Sequence, residues 1–72
     1  MKVGIIGCGF IGNTLANAIE GMDEIEELYL FDHTISCTEG LAATLLKAKS
    51  TSKVEELITK ADLVIEPLHK AQ

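Results

Sequence analysis

Arginine is absent from this 72-residue chain, and six lysines stand against eleven aspartates and glutamates, for a formal net charge of −5. So few cations do not suit a protein that follows a phosphate backbone, which excludes a general nucleic-acid binder. The side chain best shaped to grip phosphates or carboxylates with two parallel hydrogen bonds is also missing. Long apolar runs are absent too. The stretch from Met1 to Ile11 is interrupted by Lys2 and by glycines, and is too short to cross a bilayer, so no membrane partner is expected. Cys8 and Cys37 are far apart and have no metal-ligand spacing, so no metal site is expected. With no signal peptide and no disulfide framework, the expected location is the cytoplasm. No Ser-His-Asp, Cys-His or metal-binding cluster is visible, and no catalytic residue is assigned.

What is present is a globular composition, 47% hydrophobic and 24% charged, unlike a disordered tail. A chain of this length buries only about 60% of its unfolded surface. It is one small domain or part of a larger one.

The most informative segment is Gly7-Cys8-Gly9-Phe10-Ile11-Gly12, which reads G-x-G-x-x-G. Alone the pattern is weak. Here it follows the apolar run Val3 to Ile6 and opens an amphipathic stretch from Ile11 to Ile19. An acid, Asp32, stands twenty positions past Gly12 at the end of a second apolar run. That combination predicts a dinucleotide-binding βαβ unit. Gly7 permits the tight turn, Gly9 lets backbone approach a pyrophosphate, and Gly12 lets helix and strand pack closely. The amides of Phe10 and Ile11 would face the phosphates at a helix N-terminus. Asp32 would accept hydrogen bonds from the ribose hydroxyls and repel a 2′-phosphate. With no arginine to offset that charge, NAD is favoured over NADP. His33 is counted with the site because it could stack on adenine, the alternative being an exposed loop histidine. Thr34 and Ser36 are within possible reach of the cofactor edge, but such residues more often serve turns and caps. Glu66, His69 and Lys70 are better read as surface residues than as catalytic ones.

The pattern predicts strands at Lys2–Ile6, Leu28–Asp32, about 48–51 and Leu63–Ile65. Helices are expected over Phe10 to about Glu20, from the box Ser36-Cys37-Thr38-Glu39 through Leu46, and from the box Ser52-Lys53-Val54-Glu55 through Ala61. The first helix should bury Ile11, Leu15, Ala18 and Ile19, and Gly21 should end it as a left-handed cap. Such alternation calls for a Rossmann-like α/β parallel sheet of about four strands in order 3-2-1-4. Two helices are expected on one face and the third on the other. Residues 1–72 are read as the N-terminal part of a dinucleotide-binding domain, an incomplete doubly wound sheet with strand 4 at an exposed edge.

Lys2-Val3-Gly4-Ile5-Ile6-Gly7-Cys8-Gly9-Phe10-Ile11-Gly12, Asp32, Val54-Glu55-Glu56-Leu57 and Ala61-Asp62-Leu63-Val64-Ile65-Glu66 together resemble the N-terminal half-domain of the L-aspartate dehydrogenase family. The likeness covers about residues 1 to 66. It implies an NAD(P)-dependent oxidoreductase whose glycines and Asp32 hold the cofactor. The family's catalytic residues lie in a C-terminal domain with no counterpart here, and Pro67 to Gln72 departs from the family's usual segment. The expectation is an NAD-binding half-domain, not catalytic alone. Two alternatives stay open: a non-enzymatic nucleotide-binding or assembly module, pairing with a second copy or a complementing chain through strand 4, or a truncated gene remnant.

Overall fold

A computed structural model describes residues 1–67 of the chain. The elements run β1 (Lys2–Ile6), α1 (Phe10–Glu20), β2 (Glu27–Phe31), α2 (Ile35–Ala43), β3 (Ala48–Ser50), α3 (Val54–Lys60) and β4 (Leu63–Ile65). The four strands form one sheet in the order β3-β2-β1-β4. Every pairing is parallel, with Gly4 opposite both Tyr29 and Val64. This is the Rossmann-like α/β arrangement that the alternation of short apolar runs and helical stripes predicts.

Strand alternation sorts the two faces. Val3, Ile5, Leu28 and Leu30 join Ala16 and Ile19 of α1 and Leu41 of α2 in one core. On the opposite face a Cβ added to Gly4 would lie 2.4 Å from Leu57 Cδ2 and 3.2 Å from Ala61 Cβ. The missing side chain therefore lets α3 lie directly on the central strand. Leu57 is fully buried there. Thus α1 and α2 cover one face and α3 the other, as two right-handed crossovers and one reversal require.

Several local expectations need correction. Helix α1 buries Gly12, Ala16 and Ile19, while Ile11 and Ala18 are exposed. The stripe is rotated because Gly12, the smallest residue, marks the side that touches the sheet. Gly21 is right-handed (φ −83°, ψ −2°). The chain leaves α1 through a turn in which the Met22 N–H donates to the Ile19 carbonyl (3.0 Å), which needs no left-handed residue. Neither expected capping box forms. Thr34 precedes α2 and Lys53 precedes α3, and among the described residues no helix has a side-chain cap. Helix α2 begins early because Asp32 Oδ1 accepts the Thr34 N–H (2.9 Å) and turns the chain there. It stops at Ala43, so Leu45 and Leu46 fall in the connection, where Glu20 Oε2 accepts the Leu46 N–H (2.6 Å). Leu46 is left 98% exposed.

On the α3 face, the Tyr29 hydroxyl donates to Glu27 Oε1, while Lys49 Nζ donates to Glu27 Oε2 (3.0 Å). The hydrogen bond to Glu27, aided by burial, raises the phenol from 10.0 to about 12. A raised folded-state value favours the neutral phenol. Its contribution to stability is complete below pH 10 and is lost as pH rises from there towards 12. Ultraviolet titration of the phenolate should therefore give a midpoint near 12, and Glu27→Gln should lower it.

Candidate functional site

The turn out of β1 starts at Gly7, whose φ of +110° strongly favours glycine. Its N–H donates to the Phe31 carbonyl (2.7 Å), tying the turn to the end of β2. Gly12 then meets the same turn from the helix side. A Cβ there would lie 2.2 Å from the Gly7 carbonyl oxygen, so any side chain would force α1 off the strand. Gly9 differs from both. It precedes α1 with an ordinary backbone (φ −71°), and among the described residues a Cβ built on it meets nothing within 4 Å. The protein itself makes no steric demand for glycine at that position.

These residues open onto a crevice of about 670 Å³ at the C-terminal end of the strands. Its floor is the loop Gly7 to Gly12, and its sides are Phe31 at the end of β2, Asp32 and His33 just past it, and Glu66 and Pro67 beyond β4. It straddles the point between β1 and β4 where the winding reverses, the usual ligand position in open α/β sheets. Helix α1 starts here with no acidic residue in its first turn and no side-chain cap. The first-turn N–H groups of a helix have no partner within it, and their partial positive charge suits an anion. The Phe10 side chain is 87% exposed at the rim.

Asp32 faces that loop. Its Oδ2 accepts the Cys8 N–H (2.8 Å) and its Oδ1 the Thr34 N–H (2.9 Å). The hydrogen bond from Thr34 contributes most to lowering its pKa, the bond from Cys8 and the nearby His33 add to it, and partial burial opposes it. The carboxylate is therefore charged at neutral pH and has lone pairs left for hydroxyl donors. Its bond to Cys8 is a role the sequence pattern does not reveal. His33 is exposed, with its ring edge-on to Phe31 at 5.7 Å between centroids. Ser36 is exposed on α2, and Thr34 holds the turn before it. His69 and Lys70 lie outside the described residues.

One expectation at this site is overturned. Cys8 and Cys37 form a disulfide, with Cα atoms 6.2 Å apart across a sequence separation of 29. The parallel β1–β2 crossover sets the first turn of α2 beside the glycine loop, bringing together two residues whose spacing suggests no relation. The cysteines therefore no longer argue for a reducing compartment. Among the described residues no helix is long and apolar enough to cross a membrane.

Comparison with known proteins fixes the kinship. The chain is 48% identical over 68 residues to an L-aspartate dehydrogenase of Methanosarcina acetivorans, an alignment covering 92% of this chain and 25% of that protein. It is homologous to the L-aspartate dehydrogenases. The corresponding enzyme of Methanosarcina mazei is 47% identical and that of Methanosarcina barkeri 37%, each with the same coverage. The chain thus spans a quarter of the length of the L-aspartate dehydrogenases it matches. No family model matches it.

Glycine replacements separate architecture from ligand. Gly12→Ala should cost about 2–3 kcal/mol in urea denaturation, because its Cβ meets backbone. Gly40→Ala, mid-helix in α2 with open space around its Cβ, should stabilise by about 0.5–1 kcal/mol.

Proposed function

We propose that this chain is the dinucleotide-binding half-domain of an aspartate dehydrogenase-like oxidoreductase, and that it binds the adenosine-pyrophosphate part of NAD. The observation that carries the reading is Gly9. It lies between an uncapped helix start and an ionised Asp32, on the floor of a crevice, where nothing among the described residues occupies the place of a side chain. At the crevice, unlike Gly40 on α2, a glycine that the fold does not need sterically is what a ligand approaching the backbone would require.

The residues fit the group. Gly7, Gly9 and Gly12 form the cradle, with the Phe10 and Ile11 amides directed to the phosphates. Asp32 takes the ribose hydroxyls, and His33 at the rim lies beside the adenine. NAD is favoured over NADP because Asp32 is anionic and the chain has no arginine to hold a 2′-phosphate. When bound, the nicotinamide supplies hydride transfer, which in the whole dehydrogenase would act on an amino or hydroxy acid. The chain's own residues bind and orient the adenosine end, and none is given a catalytic role. Purified chain mixed with aspartate and NAD should show no turnover.

A second reading rests on β4. Leu63 and Val64 are exposed, and among the described residues no strand pairs with the outer edge of β4. Exposed strand edges recruit other strands, which favours an assembly module completed by a second copy of this chain. A melting temperature that rises with protein concentration would support that reading.

Binding has two direct tests. NAD should raise the melting temperature, and Gly9→Ala should abolish that rise while leaving the unliganded melting temperature within a degree or so, roughly the effect of a tolerated surface change. Asp32→Ala should weaken NAD by roughly tenfold, the worth of a charge-assisted hydrogen bond, and weaken NADP less. Equal loss for both cofactors would remove Asp32 as the reader of the ribose.

A further inference from the structure

We propose that Cys8 and Cys37 are a reversible thiol–disulfide site that reacts with small-molecule disulfides and whose closed form clamps the glycine loop to the start of α2. Three observations meet here. Cys8 lies inside the loop, between Gly7 and Gly9, with its side chain buried against the core. Cys37 is half-buried in the first turn of α2, a few residues after Asp32. Both segments already meet at Asp32, which accepts one amide from the loop and one from the turn that leads into α2. The disulfide is thus a covalent counterpart of a clasp that is otherwise two hydrogen bonds.

The open form is also accommodated. Cys37 Sγ lies 3.2 Å from the Cys8 carbonyl oxygen, so a Cys37 thiol has an acceptor in reach once the bond is broken. Accessibility orders the steps. The Cys37 thiolate, half-buried at a helix start whose amides favour negative charge, attacks one sulfur of the small disulfide. One small thiol leaves and a mixed disulfide forms at Cys37. The buried Cys8 thiolate then attacks Cys37 Sγ, closing the protein disulfide and releasing the second small thiol. Two electrons pass from the cysteine pair to the small disulfide, which is reduced to two thiols. The two cysteine protons go to solvent or to the departing thiolates.

Closing the bond restrains the loop whose amides face the crevice. If the proposed NAD reading holds, on which this consequence rests, the oxidised chain is pre-organised and binds NAD about five- to tenfold more tightly than the reduced chain.

The test treats the reduced chain with oxidised glutathione, alkylates the remaining thiols with iodoacetamide and reads the intact mass. Two alkyl groups are expected before oxidation and none after, with no glutathione retained. Amide hydrogen exchange at Gly9 to Ile11 should slow by roughly tenfold on oxidation. Cys37→Ser should show no such slowing with the same oxidant. Thiols that stay fully alkylated at saturating oxidised glutathione would overturn the proposal, as would loop exchange that is equal in the two forms. Exchange that slows on oxidation while neither form binds NAD would support the pair and overturn the proposed function instead.

Discussion

The approach of Gly12 to the carbonyl of Gly7 is the constraint on which the rest of the unit depends. It sets α1 directly against the end of β1, and a single methyl group at Gly12 would overlap the turn. With α1 seated, Ala16 and Ile19 reach Val3, Ile5, Leu28 and Leu30, and one face of the sheet closes. On the other face Gly4 does for α3 what Gly12 does for α1, by giving Leu57 the room that a side chain would take. Two absent side chains thus fix the spacing of both helix layers. The crevice is what remains at the strand ends, where the layers diverge.

Much of this was legible in the amino-acid sequence because it is local and periodic. Apolar runs gave β1 and β4 their bounds, and the glycine spacing located the turn and the start of α1. Strand order followed from the handedness of crossovers. Misread features depend on who competes for a backbone N–H. The box at Ser36 looks like a helix start, but Asp32 takes the Thr34 N–H first and α2 begins ahead of it. Leu45 and Leu46 continue an apolar stripe on paper. The Glu20 carboxylate, supplied by another helix, draws the Leu46 and Lys47 amides out of the helical path.

The site was legible in its glycines and its acid, and less so in their connections. Spacing alone marks Asp32 as a residue facing a ligand, whereas in the fold it also holds the loop. The pairing of Cys8 with Cys37 could not be read from a separation of 29 residues. It follows from the crossover, which is a property of the whole sheet. The finding that carries the proposed function, open space at Gly9, likewise needs coordinates, since the pattern does not say which of its glycines the protein itself requires.

Asp32 bridges three segments, the glycine loop, the end of β2 and the turn before α2, through one side chain. Such a residue is poorly placed to change, because losing its carboxylate loosens the loop along with any contact it makes to a ligand. His33 and Thr34 next to it are exposed. Their side chains can be exchanged without touching the bridge, so the evolutionary freedom to retune what this crevice accepts lies one or two positions past the acid.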